Sequence, residues 1–206
     1  RTIRTRSTAS VIREMEELID YGAEAIMMYD DELNVTPDGL VRLMQETKTL
    51  QDRRGLDLRL RGFVKSQLFT EIQAKAMHSA GFRWLLVGYE SGSPKMLENM
   101  NKRATREQNT ESIRIARDNG LKVKALLSLG HPGESQRTVD ETLDWLLETK
   151  PDDFDCAIIT AYPGTPYFDR ATENLDGTFT YQVNGDNLHQ LPLDHTEKAD
   201  YYKGDP

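Results

Sequence analysis

The stretch GFRWLLVGYESGSPKMLENMNKRATREQ, Gly81–Gln108, holds every signal that sets the fold. Phe82–Tyr89 is a short apolar run rich in β-formers, bounded by Gly81, a residue suited to ending a helix in left-handed conformation. Gly88 and Gly92 mark a turn. Glu90 stands alone just past the run, with the cations Lys102 and Arg103 further on. Thr105-Arg-Glu-Gln108 reads as a capping box, in which threonine oxygen and glutamine side chain each satisfy an orphan amide. Gly92 and Pro94 are expected to turn the chain into a helix that carries Lys102. The stretch therefore reads as helix end, strand, charged loop and helix start.

Four more runs repeat the strand signal: EAIMMY (24–29), LDLRLRGF (56–63), KVKALLSL (122–129) and FDCAIITAY (154–162). Two alternate with Arg or Lys, so one face of each is expected to meet polar groups. Amphipathic runs lie between them. The first puts Val11, Met15, Leu18 and Ile19 on one face. The second opens at Thr36-Pro37, a cap before a first-turn proline. The third spans about 70–80, and the fourth ends at Gly120. The fifth opens at Ser135 and carries Val139, Leu143, Leu146 and Leu147. Strict alternation of strand and helix argues an α/β fold of five parallel strands with helices outside. Either a barrel segment or an open doubly wound sheet satisfies the pattern. The chain opens with a helix, so a strand is expected ahead of it. From about Thr172 the sequence is polar, and Asn184-Gly185 predicts a hairpin. The expected division is a core over 1–171 and a truncated polar extension over 172–206.

Composition limits the function. The chain has 206 residues, 29% charged and 37% apolar, which suits one globular core. A net charge of −8 argues against a general nucleic-acid groove. No run approaches the roughly 20 apolar residues of a membrane helix, and no secretory leader is visible. The single Cys156 allows neither a disulfide framework nor a cysteine metal site, and its strand position predicts plain core. A cytoplasmic setting is expected. His78, His131, His189 and His195 show no metal-ligand spacing.

In parallel α/β folds ligands sit beyond the carboxyl ends of strands. The segments there are Asp30-Asp31-Glu32-Leu33-Asn34, then Gly62 preceded by Arg59 and Arg61, and Glu90-Ser91-Gly92-Ser93. Gly130-His131-Pro132-Gly133-Glu134 and Tyr162-Pro163-Gly164-Thr165-Pro166 follow the last two strands. In this order and spacing the motifs DDELN, GYESGS…NK, GHPGES and AYPGTP resemble the radical S-adenosylmethionine (radical SAM) enzymes. The likeness is closest to the group that often carries a cobalamin-binding domain. It covers about residues 1–171.

The resemblance implies a partial (β/α)6, TIM-like barrel, of which this chain supplies units two to six. It also implies a loop, CxxxCxxC, whose thiolates hold a 4Fe–4S cluster. That loop is absent here, so the chain looks like a fragment beginning just after it, with Arg4, Arg6 and Ser7 resembling a motif downstream of the loop. The resemblance places Asp30, Asp31 and Glu32 near the methionine amino group of S-adenosylmethionine and Arg61 toward its ribose or methionine. It gives Glu90, with Ser91 beside it, the ribose diol, since an ionised glutamate accepts from two vicinal hydroxyls. Lys102, or its neighbour Arg103, meets the methionine carboxylate. Gly130, Pro132 and Gly133, with Ala161, Tyr162 and Pro163, line the adenine through backbone groups. The implied enzyme cleaves S-adenosylmethionine reductively for methylation, oxidation or cyclisation. It needs a reductant such as flavodoxin or ferredoxin, a small-molecule or peptide substrate, and in some members cobalamin on a separate domain. Two other readings stay open: an unrelated α/β barrel enzyme binding a divalent metal through Asp30, Asp31 and Glu90, and a non-catalytic ligand-binding module. The strand at 24–29 is expected to leave an edge, where a preceding strand would pair, through which chains could associate.

Overall fold

Helix and strand alternate as the apolar runs require. The computed structural model describes residues 4–159, 164–169, 172–173, 175, 179–183 and 187–191. The elements are α1 (Thr8–Asp20), β1 (Ala25–Met28), α2 (Pro37–Arg54), β2 (Arg59–Phe63), α3 (Glu71–Ser79), β3 (Phe82–Glu90), α4 (Pro94–Asn99), α5 (Arg106–Asp118), β4 (Lys122–Leu129), α6 (Gln136–Thr149), β5 (Asp153–Ile158) and α7 (Pro166–Asp169). A 3-10 turn, Ser66–Leu68, follows β2. The five strands form one parallel sheet in the order β1-β2-β3-β4-β5. A separate antiparallel sheet joins β6 (Thr172–Glu173), β7 (Phe179–Val183) and β8 (Asn187–Leu191), with Val183 opposite Asn187 at the hairpin end.

The chain forms two compact units. One comprises Arg1–Tyr89, Ala104–Leu126 and Thr149–Asp155; the other comprises Glu90–Arg103, Leu127–Glu148 and Cys156–Pro206.

In the first unit, strand alternation sorts the side chains. Leu60 and Gly62 of β2 are buried while Arg59 and Arg61 are exposed. Ala25 pairs with Arg59 and Met27 with Arg61, and Arg61 lies opposite Trp84 past a bulge between Leu60 and Arg61. Helices close the buried side. The capping box expected at Thr105 and Gln108 forms, and a second one, not read from the sequence, forms at Thr70 and Gln73. Thr36 precedes Pro37 but its side chain makes no cap hydrogen bond. On α1 only Met15 of the four expected apolar residues is buried, and Leu18 is exposed. Buried Tyr89 donates to Ser112 at 2.9 Å, and burial pushes its phenol up, so it stays neutral.

Gln51 ties three segments together. Its Nε2 donates to the Ala80 carbonyl at 2.7 Å and its Oε1 accepts from Leu58 N at 2.8 Å. The adjoining Gly81 has φ +95°, and a Cβ there would lie 2.2 Å from the Leu58 carbonyl oxygen. Both the backbone conformation and the space demand glycine.

In the second unit, α6 turns part of its apolar sequence outward. Of the apolar residues its sequence offers, Leu143 and Leu147 are 53% and 62% exposed. The buried face is Thr138, Thr142 and Trp145. The threonine hydroxyls donate to the carbonyls of Ser135 and Thr138, so their methyls can be buried without an orphan polar atom. Cys156 departs from expectation: β5 is an edge strand exposed along its length, and the thiol is exposed rather than core. Partial burial and the charge of Glu134 push that thiol up, which leaves it a poor thiolate.

Gly81→Ala is expected to cost about 3 kcal/mol in urea unfolding, combining left-handed strain and overpacking. Gly22→Ala, at φ +92° with nothing near its Cβ, isolates the strain and should cost about 1 kcal/mol.

Candidate functional site

Glu90 closes β3 in a left-handed conformation, φ +64°, which non-glycine residues rarely adopt. The next residues explain what holds it there. Thr142 Oγ1 donates its one hydrogen to the Thr138 carbonyl at 3.0 Å, so toward the loop it can only accept. It accepts from Gly92 N at 3.1 Å and, by elimination, from Ser91 Oγ at 2.8 Å. Ser91 Oγ in turn accepts from Ser93 N at 3.0 Å. Ser93 Oγ donates to Glu141 at 2.5 Å. Gly92 is pressed on the helix: a Cβ there would lie 2.5 Å from Trp145 Cβ. The loop 90–93 is thus bolted to α6, and Glu90 is aimed by that bolt.

The Glu90 carboxylate is shared. Oε1 accepts from Lys102 Nζ at 2.8 Å and Oε2 from Ser128 Oγ at 2.9 Å. Ser128 Oγ lies 2.7 Å from His131 Nε2. A hydroxyl has one hydrogen, and Ser128 gives it to a carboxylate that can only accept. His131 must therefore donate through Nε2. The ion pair is partly exposed, with side-chain exposures of 24% for Lys102 and 30% for Glu90.

Lys102 lies beyond α4 rather than on it. It sits between Asn101 and Arg103, both left-handed at φ +52° and +57°, and its backbone N donates to the Leu97 carbonyl at 3.0 Å. Left-handed non-glycine residues cost about 1–3 kcal/mol each and gather where geometry is over-determined. Here one of them is a member of the ion pair, Glu90, and two flank its partner, Lys102. The loop after β4 is also closed on itself: Gly130, at φ +91°, donates its N–H to Glu134 at 2.7 Å, and Asn99 donates to the Pro132 carbonyl at 3.2 Å.

In the first unit, the segment after β1 is pinned to the end of β2. Asn34, fully buried, donates to the Lys65 carbonyl at 2.9 Å and accepts from Lys65 N at 2.8 Å. Glu32 pairs with Lys65 Nζ at 2.6 Å. Asp30 and Asp31 are exposed. Arg61 is exposed on β2 and makes no ion pair or hydrogen bond among the described residues. Ala161, Tyr162 and Pro163 lie outside the described residues. Among the described residues no three His, Cys, Asp or Glu side chains gather as a metal site.

Ser128 and Asn34 escaped the sequence reading as site residues. A lone hydroxyl ending the run KVKALLSL is the one signal that could have marked Ser128. His131 was given no role by its sequence spacing, and the structure joins it to Glu90 through Ser128.

Five parallel strands, a strained carboxylate at the end of the third and a cation bound to it define an α/β protein with a polar cluster at the strand ends. The chain belongs to the radical SAM superfamily, whose profile matches residues 1–146. An uncharacterized methyltransferase of Pyrococcus horikoshii is 28% identical over 83% of this chain and 37% of its own length. A putative methylthiotransferase of Methanocaldococcus jannaschii is 26% identical over 96% of this chain and 45% of its own. The chain thus spans less than half the length of these relatives. The radical S-adenosylmethionine methyltransferase TsrM from Kitasatospora setae, solved with cobalamin and a [4Fe-4S] cluster bound, matches with TM-score 0.72 and 25% identity, over 79% of this chain and 30% of that one. Coproporphyrinogen III oxidase from Escherichia coli, at TM-score 0.61 and 16% identity over 98% of this chain and 46% of that one, shares the fold.

The hydroxyl chain predicts one tautomer. Long-range 1H–15N spectra should show His131 protonated at Nε2, and an Nδ1–H form would refute the assigned direction. Thr142→Val removes the acceptor of Ser91 and Gly92 and should cost about 2 kcal/mol in urea unfolding.

Proposed function

We propose that these residues hold S-adenosylmethionine in a radical SAM enzyme, with Glu90 accepting from the ribose diol and Lys102 meeting the methionine carboxylate. The observation that carries this reading is the Glu90–Lys102 ion pair, held at 2.8 Å between left-handed backbone positions. A carboxylate offers about four lone-pair positions. Lys102 and Ser128 use two, so Glu90 can accept from two hydroxyls without releasing either partner. Lys102, with its remaining donors, can bind a second carboxylate while staying beside the first. The turn Gly130-His131-Pro132-Gly133 would meet the ligand's adenine.

The cluster is a different matter. Three thiolates hold a radical SAM 4Fe–4S cluster, and residues 1–206 contain one cysteine, Cys156, exposed on β5. These residues do not fit a cluster, and no step is assigned through it. When bound beside such a cluster and given one electron, S-adenosylmethionine supplies a 5′-deoxyadenosyl radical for hydrogen abstraction. The parent enzyme's reaction is a methyl or methylthio transfer, in line with the methyltransferase and methylthiotransferase relatives. Its electron comes from a flavodoxin or ferredoxin, and cobalamin is its second cofactor. No described helix is long and apolar enough to cross a membrane, which accords with work in the cytoplasm.

Calorimetric titration tests the two contacts separately. S-adenosylhomocysteine carries both ribose and amino-acid carboxylate, whereas 5′-methylthioadenosine lacks the carboxylate. Glu90→Gln should weaken both ligands by about tenfold or more. Lys102→Met should weaken the first and spare the second. If Glu90→Gln leaves 5′-methylthioadenosine binding unchanged, the ribose assignment is wrong. Catalysis is tested on the gene product that carries these residues, after anaerobic reconstitution with iron and sulfide. Release of 5′-deoxyadenosine on reduction is expected, and its absence would leave a ligand-binding module.

A further inference from the structure

The first unit has one sheet face that its own side chains do not fill. Register places Met27, Arg59, Arg61 and Trp84 on the side away from buried Leu60 and Leu85. Lys122 joins them, its Nζ 5.4 Å from the Trp84 ring centroid. The inner faces of parallel sheets are ordinarily packed with branched aliphatic residues. Here the middle of the sheet instead carries guanidiniums. On β5 of the same sheet, Asp153 and Asp155 bind Lys124 at 3.0 and 2.9 Å, so they are engaged away from β2. Arg59 and Arg61 are exposed and make no ion pair or hydrogen bond among the described residues. This local excess of positive charge sits on a chain of net −8, in which acids outnumber bases by 34 to 26.

We propose that this face binds a small organic carboxylate with an apolar or aromatic body, its carboxylate held by Arg59 and Arg61 and its body against Trp84 and Met27. Resting on the reading above, that molecule is the enzyme's substrate. Two arginines two positions apart on a strand stand about 6.5 Å apart, close enough for both forks to reach one or two carboxylates. The half-buried Met27 and Trp84, which flank Arg61 on the two neighbouring strands, favour an amphipathic molecule over a bare anion. The net charge of the chain repels a long polyanion such as a nucleic acid. Arg61 thereby belongs to the substrate rather than to S-adenosylmethionine.

Trp84 reports on the face directly, because Trp145 is fully buried. Naphthalene-2-carboxylate, naphthalene-2-carboxamide and inorganic phosphate are titrated against the chain while the Trp84 indole N–H resonance is followed. The carboxylate should shift that resonance to saturation, and the neutral amide should bind at least about tenfold more weakly. Phosphate should neither shift it nor displace the carboxylate at equal concentration. Arg59→Gln should weaken the carboxylate about tenfold, Arg59→Lys less, and the Arg59→Gln/Arg61→Gln pair should abolish saturation. Equal binding of acid and amide, displacement by phosphate, or indifference to Arg59→Gln would overturn the proposal. S-adenosylhomocysteine is titrated on the same samples. Failure of the unsubstituted chain to bind it would count against the S-adenosylmethionine reading alone. Loss of its binding in Arg61→Gln would return Arg61 to that ligand and overturn the assignment made here.

Discussion

The close approach of Gly92 to Trp145 is the constraint on which the second unit depends. No other residue can stand there, since any Cβ would collide with Trp145 Cβ and crowd Thr142 Cα. Contact at that distance lets one hydroxyl, Thr142 Oγ1, reach two groups of the loop while still bonding its own helix. Once the loop is fixed there, the chain leaving β3 has little freedom, and Glu90 takes a left-handed conformation it would otherwise avoid. The position of the carboxylate is therefore set by packing two residues away, at Gly92, not by the carboxylate's own partners.

The same contact explains why the buried face of α6 is not its leucine-rich one. Counting apolar residues along its sequence selects Leu143, Leu146 and Leu147, but a helix pressed against backbone must present small side chains. Threonine meets that need, because its hydroxyl can bond the preceding turn while its methyl is buried. Local signals of a different kind survived intact. The five apolar runs became five strands, and the capping box at Thr105 formed because both partners lie within one turn of chain. Cys156 shows the opposite limit: an apolar run predicts a strand, but whether the strand is covered depends on its place in the sheet order.

For the candidate site, position at a strand end draws attention to Glu90, and the family resemblance draws attention to Lys102. What the sequence could not show is that they bind each other, because their meeting depends on a loop that turns twice through left-handed residues after α4. Ser128 and His131 were hidden for a related reason. Their part in the site comes from the direction of hydrogen bonds, and direction follows from counting protons across a finished network.

That network bears on how a charged ligand could be received. A lone carboxylate and a lone ammonium at partial burial would each lose hydration with nothing in exchange. Paired at 2.8 Å, they hold each other in place. Ser128 adds a neutral donor, and His131 orients that donor from behind. A ligand bringing two hydroxyls and a carboxylate can then add hydrogen bonds to lone pairs and N–H groups that are already aimed. The reorganisation on binding is small because the strain of the turns at Glu90, Asn101 and Arg103 has been met in folding, not left for the ligand to supply.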